Sequence, residues 1–191
     1  PLDSTITLLQ NKTLTSLNIS NSIKTIRNNT FSSNIAGFAL AATTWYVATT
    51  GNDLNSCIDI DSPCLTINGA LGKTANGDLV EVATGIYTGS GNEVVLIEKD
   101  ITLSGGWNAS FNNQTGTSII DGQETRRGIT ITVANVVVDN FTIQNGFANP
   151  GGGILNDGTL TLNNSLVNGN VSLWLGGGIY NRGTLTINNS M

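Results

Sequence analysis

Hydrophobic and polar positions alternate strictly at two places in the chain, Thr159-Leu160-Thr161-Leu162 and Thr184-Leu185-Thr186-Ile187. A period of two with β-branched residues predicts half-buried strands, with Leu and Ile facing a core and Thr facing water. Both strands belong to a longer repeat. GGGILNDGTLTLNNS, residues 151–165, returns 25 positions later as GGGIYNRGTLTINNS, residues 176–190, with twelve of fifteen positions identical. Among the changes, Leu155 becomes Tyr180 and Leu162 becomes Ile187. A fixed period of this length with strand-like content predicts a solenoid in which each repeat is one coil.

The same grammar, less regular, runs upstream. Strands are predicted at Ile129–Val133, Val136–Val138, Phe141–Ile143 and Leu166–Val167, and earlier at Val94–Ile97, Ile101–Leu103 and Ile119–Ile120. Gly and Asn occupy the intervening corners, where both tolerate left-handed backbone angles. Asn repeated at one register can also stack as hydrogen-bonded ladders between coils. Residues 63–83 break the pattern. Ile67, Ala70, Leu71 and Thr74 fall at helical spacing and Asn76-Gly77 ends the run, which predicts a short helix over about 65–76 and then a strand at Leu79–Val82. Such a helix would cover the apolar cross-section of the first coil and block edge pairing. The expected fold is all-β, a parallel solenoid of about 25 residues per coil, capped by that helix.

Composition narrows the function classes. Charged residues make up 11% of the chain, against about 25% in ordinary soluble domains. Gly, Asn and Thr number 23, 26 and 25 of the 191 residues. No apolar run approaches the roughly 18 residues of a membrane span. A net charge of −5 argues against a nucleic-acid platform, which concentrates Lys and Arg. His is absent, which removes His–carboxylate relays and His-ligated zinc. No cofactor and no enzymatic activity are expected. The two cysteines, Cys57 and Cys64 in SCIDIDSPC, are expected to form a loop-closing disulfide made in an oxidising compartment. A zinc site would need two more soft ligands, and a redox pair is usually C-x-x-C. The stretch Ile35–Leu40 is too short and too polar-flanked for a good signal-peptide core, so it is expected to be mature chain.

Several pieces carry a family likeness in the family's own order: WYVATTGND, SPCLTINGAL, NGDLVEVATGIYTG, KDITLSGGW, IIDGQETRRGITI, DNFTIQNG and both GGGI-x-N-x-GTLT units. From Trp45 to Met191, about three quarters of the chain, the sequence resembles bacterial right-handed parallel β-helix repeat proteins of the secreted or surface-displayed kind. The Gly-rich units also resemble, more distantly, repeats of polymorphic outer-membrane passenger domains. The resemblance implies a right-handed β-helix over 45–191, preceded by an extension over 1–44, and an extracellular or cell-surface setting. It implies no single activity, because β-helices host lyases, adhesins and scaffolds alike.

The best ionisable cluster is Asp121, Glu124, Arg126 and Arg127. A polysaccharide lyase would use acidic Ca²⁺ ligands and a basic proton acceptor, but these four share one short corner, where a solvated turn is expected. Glycoside hydrolysis needs two facing carboxylates, and beyond Glu124 only Asp139 and Asp157 are acidic. Asp53, Asn55, Asp59 and Asp61 alternate as in a calcium loop, yet Ile58 stands where Gly belongs and Cys64 where Glu belongs. Outward Thr159/Thr161 and Thr184/Thr186 form too few ranks for an ice-binding array, and Thr favours strands anyway. Trp107 and Trp174 each lie beside Gly and are expected to cover the core edge rather than stack on sugars. Asn-x-Ser/Thr sequons at Asn11, Asn18, Asn28, Asn108, Asn113, Asn140, Asn163, Asn170 and Asn188 are candidate glycan sites, with corner Asn as the preferred reading.

These features favour an extracellular structural or adhesive protein, with a polysaccharide-binding or lyase-like β-helix as the alternative. The extension carries strand-like alternation at Ser4–Leu8 and Leu14–Ile19, and the chain stops after a complete strand unit. Head-to-tail self-association through residues 1–44, giving a filament, is the expectation that follows.

Overall fold

The structure, a computed structural model, describes residues 41–132 and 135–191. The strands expected at Ser4–Leu8 and Leu14–Ile19, the sequons at Asn11, Asn18 and Asn28, and Val133 lie outside the described residues. The regular structure is nearly all β, and every ladder between strands is parallel. Strands are numbered in chain order. One sheet sets β1 (Thr44–Val47), β2 (Asp78–Ala83), β5 (Ile101–Trp107), β8 (Val136–Asp139), β11 (Thr159–Asn163) and β14 (Thr184–Asn188) side by side in that order. A second holds β3 (Gly85–Tyr87), β6 (Ser118–Asp121), β9 (Phe141–Gln144) and β12 (Leu166–Asn168). A third holds β4 (Glu93–Ile97), β7 (Arg127–Ile131), β10 (Ile154–Asn156) and β13 (Ile179–Asn181). From β2 onward the chain visits the three sheets in fixed rotation, an arrangement compatible with a parallel β-solenoid.

The 25-residue period appears as register. Leu160 pairs with Leu185, Thr161 with Thr186 and Leu162 with Ile187, while Ile154 pairs with Ile179. The period is not uniform along the chain. Thr102 pairs with Val137, a step of 35, because loop 108–117 is inserted after β5. Three-residue strands such as β3 and β10 escape the sequence pattern, being too short to show a period.

Between the sheets lies one core, stacked in rows. Val80, Leu103, Val138 and Leu162 succeed one another across the first sheet, and Val95, Ile129 and Ile154 across the third. Thr159 and Thr161 face outward, as alternation requires. In β14 the inner row is only partly covered: Leu185 packs on the core, but Ile187 is 50% exposed. After β8, β11 and β14 the corner leaving the first sheet turns through a left-handed asparagine, Asn140 (φ 66°), Asn164 (47°) and Asn189 (50°). Asn also ladders. Asn188 donates to Asn163 at 2.9 Å, and the fully buried Asn156 donates to Asn181 at 2.6 Å and to the Thr184 carbonyl at 2.9 Å.

The helix is shorter than the sequence suggests. α1 spans Ile67–Leu71, not about 65–76. The Thr66 hydroxyl caps its start by accepting from the Gly69 N–H at 2.9 Å. Gly72 has little helix propensity, and tight bonds from Lys73 to Ala70 and from Thr74 to Leu71 close the last turn. Thr74 is still buried, so the spacing identified the right face over too long a span. Within α1, Asn68 acts as a piece of strand: its amide donates to the Val94 carbonyl at 3.1 Å and accepts from the Leu96 N–H at 3.0 Å, satisfying the outer edge of β4. The Cys57–Cys64 disulfide is present, with both residues fully buried. Its loop covers the outer edge of β1 through bonds between Tyr46 and both cysteines. Asp78 pins the start of β1, accepting from Thr43 N, Trp45 Nε1 and Ala75 N, each at 2.8 Å.

The inner and outer faces make opposite predictions. Leu160→Ala should cost about 2–5 kcal/mol in urea unfolding. Thr186→Ala should stay within about 0.5 kcal/mol of the parent, with the same slope. Equal losses at both positions would mean the faces are misassigned.

Candidate functional surface

Register, not sequence proximity, assembles the most chemically varied surface. On the outer face of the first sheet Tyr46, Glu81, Ser104, Asp139, Asn163 and Asn188 form one row across successive strands. Glu81 and Asp139 flank Ser104, so their backbones stand two strand spacings apart, roughly 9–10 Å. Loop 108–117 folds over the start of this face. Its Phe111 meets Tyr46 edge-on at 4.9 Å between ring centroids and packs with Ala48, Ala83 and Trp107 into a second, small apolar cluster. Trp107 Nε1 donates to the Ser104 hydroxyl at 3.1 Å, and Gln114 Nε2 donates to it at 3.1 Å and to the Gly105 carbonyl at 2.7 Å. Burial raises the Glu81 carboxyl above its ordinary value. Tyr46 is raised by burial and then by the nearby charges of Glu81 and Asp59. A carboxyl raised by burial, a second carboxylate, a hydroxyl and an indole thus share one face.

The corner singled out from sequence is assembled differently. Asp121 accepts from Gln123 N at 2.8 Å, Gln144 Nε2 at 2.9 Å and Asn145 Nδ2 at 3.0 Å. Burial works to raise its carboxyl, but these bonds outweigh that and hold it below the usual range. Glu124 sits in a left-handed turn. Arg126 reaches the Thr88 and Gly89 carbonyls. Arg127 reaches the Gly151 carbonyl at 2.9 Å and the Pro150 carbonyl at 2.8 Å, with Glu93 at 3.8 Å. Each arginine therefore binds backbone of a neighbouring circuit, and the four side chains do not converge. In the acidic loop, Asp53 accepts from Leu65 N, Thr66 N and the Thr66 hydroxyl, stapling the loop to α1. Among the described residues no three His, Cys, Asp or Glu side chains group to hold a metal ion.

Trp107 covers the edge of the small cluster, as expected. Trp174 does not: it is 83% exposed, in a loop that projects from the corner after β12. The alternation rule has no purchase on such a loop, and Gly neighbours indicate a turn without saying which way its side chains point. Of the sequons, Asn108 bonds Asn112, Asn113 is exposed, and Asn140 lies half-buried against the Gly105 carbonyl. Asn163 and Asn188 are laddered together, and Asn170 is fixed between the Ile143 carbonyl and the Gly146 N–H. The Glu81–Asp139 juxtaposition is absent from the sequence reading because 58 residues separate the two in the chain.

No protein-family model matches the chain, and no curated protein matches it.

The Asp121 carboxylate fixes the sign of one pH effect. Its folded-state pKa lies below the unfolded value of about 3.9, so its contribution is complete above that value and is lost as pH falls toward the lower folded one. Asp121→Asn should therefore weaken the protein at pH 7 by about 1–3 kcal/mol and make little difference near pH 2. Thermal midpoints at the two pH values check this.

Proposed function

We propose that residues 45–191 form a right-handed parallel β-helix of the secreted or surface-displayed kind, with α1 and the disulfide loop as its cap. In this proposal the protein is an extracellular structural or adhesive solenoid, joined head to tail through residues 1–44 into a filament. The observation that carries this reading is the coat of the first sheet. Thr44, Leu79, Thr102, Val137, Thr161 and Thr186 form one outward row, and the polar row beside it ends in laddered Asn163 and Asn188. This strip of hydroxyls, amides and apolar groups, with Glu81 and Asp139 as its two carboxyls, suits a contact surface. A buried disulfide adds weight to the extracellular setting. Removal of residues 1–40, which spares Thr43 and β1, should abolish filaments in electron micrographs and leave a monomer by sedimentation. An unchanged oligomeric state would rule out this mode of joining.

A second reading, polysaccharide binding or cleavage, is favoured by Glu81 and Asp139 beside Trp107. The carboxyl raised by burial would donate a proton to a leaving oxygen while Asp139 accepts one from the attacking water, the division of labour of inverting hydrolysis. Glu81→Gln should then retain polysaccharide on an affinity gel but lose reducing-end release by about 100-fold or more. Absence of release by the parent protein would remove the cleavage reading.

A further inference from the structure

We propose that the Cys57–Cys64 disulfide is a site of thiol exchange, where a small neutral or cationic thiol attacks and modifies Cys57 while Cys64 departs as a thiolate beside Lys73.

The two sulfurs sit in opposite electrostatic surroundings. Lys73 Nζ lies 3.5 Å from Cys64 Sγ. Two carbonyls hold the ammonium there independently of the disulfide, accepting from it at 2.8 Å (Asp53) and 3.2 Å (Gly69). Cys57 Sγ instead has the Asn55 carbonyl oxygen at 3.3 Å. A cation stabilises a thiolate, whereas a carbonyl oxygen favours a thiol that can donate to it. When the bond breaks, the electron pair therefore goes to Cys64. The sulfur that leaves more readily as a thiolate directs attack onto its partner.

The backbone is asymmetric in the same sense. Cys64 is fastened on both sides, its N donating to the Tyr46 carbonyl at 2.8 Å and its carbonyl accepting from Ala48 N at 2.9 Å. Cys57 has one such bond, from Tyr46 N to its carbonyl at 2.7 Å, and holds a left-handed φ of 64° that a β-carbon disfavours. Both side chains are buried, so attack waits on outward movement of the arc between them. Ile58, Asp59, Ile60 and Asp61 of that arc are all exposed. Its hydrogen bonds, from Ser62 N to the Asp59 carbonyl and from Asp61 N to the Asp59 carboxylate, are internal, so it swings as a unit. Movement at the Cys57 end frees Tyr46 N on the covered edge of β1 and leaves Ala48 bonded to Cys64.

In the first step a bond forms between the incoming thiolate and Cys57 Sγ as the bond to Cys64 breaks, and Cys64 is left as a thiolate paired with Lys73. A second thiolate then attacks the sulfur carried on Cys57. The two small thiols leave as one disulfide, and Cys57 departs as a thiolate that takes a proton from water. Charge selects the thiol. Asp59 and Asp61 line the arc through which it enters, and residues 41–72 contain no Lys or Arg. An anionic thiol is repelled there and a cationic one attracted.

The test exposes the full oxidised chain to cysteamine, 2-mercaptoethanol or glutathione at equal thiolate concentration. Samples are quenched with excess N-ethylmaleimide and their peptides mapped by mass. The singly opened species should carry the small thiol on Cys57 and the maleimide on Cys64. Cysteamine should react fastest and glutathione slowest, with the gap closing in high salt. Lys73→Met should slow opening by about three- to tenfold and spread the label over both cysteines, and Lys73→Arg should behave as the parent. A merely structural lysine would give the reverse, faster opening from a looser loop. The small thiol on Cys64 or equally on both, a rate not slowed by Lys73→Met, glutathione as fast as cysteamine, or no opening of the folded protein would overturn the proposal. If Lys73→Met fails to fold, the label positions and the order of thiols in the parent decide it.

Discussion

Parallel strands paired in register place every side chain about 4.8 Å from its counterpart one circuit away. Like therefore stacks on like wherever the sequence repeats. Leu on Leu and Ile on Ile fill a core, Asn on Asn makes a hydrogen-bonded ladder, and Thr on Thr makes a strip. Charge is the one property that does not tolerate this arrangement, because like charges directly opposite destabilise a sheet. The chain is correspondingly poor in charge, and the strand charges it keeps are set against opposite or neutral neighbours. Glu93 pairs with Arg127, Asp121 with Gln144, and Glu81 is separated from Asp139 by Ser104.

The two closest repeats show the same constraint at a single position. Asp157 in one becomes Arg182 in the other, and the guanidinium meets the carboxylate through two hydrogen bonds of 2.6 Å. The Asp157 carboxyl is lowered chiefly by that bond from Arg182. Had the repeat been copied faithfully here, two carboxylates would face each other across adjacent circuits. The pair is exposed, so its worth in water is small. Avoiding the repulsion matters more than the attraction gained.

Much of the fold is legible in the sequence because it is periodic. The strict alternation of 159–162 and 184–187 gives both the strands and their inward faces, and the 25-residue offset gives their register. Corner Asn is legible too, since left-handed turns select it. The helix is legible in its face but not its length, because Gly72 ends it before the apolar spacing does. What stays hidden depends on position in the stack. Glu81 and Asp139 share a row through the register of β2, β5 and β8, and loop 108–117 hides that register by breaking the period, an insertion that no local pattern encodes. Trp174 is concealed for another reason: within a loop, hydrophobicity no longer reports direction. The buried Asn156 reads as an ordinary turn residue until its ladder to Asn181 is seen.

The equivalence of 151–165 and 176–190 also bears on how such a chain changes length through evolution. In most folds, duplicating 25 residues would tear apart a closed set of contacts. Here a duplicated segment beginning at the corner glycines would supply one strand to each of the three sheets, and each would find a ready-made neighbour in register above and below. Its Asn residues would extend the existing ladders. Genetic slippage in this region thus yields a folded protein one storey taller, and the number of storeys is open to selection independently of the fold itself.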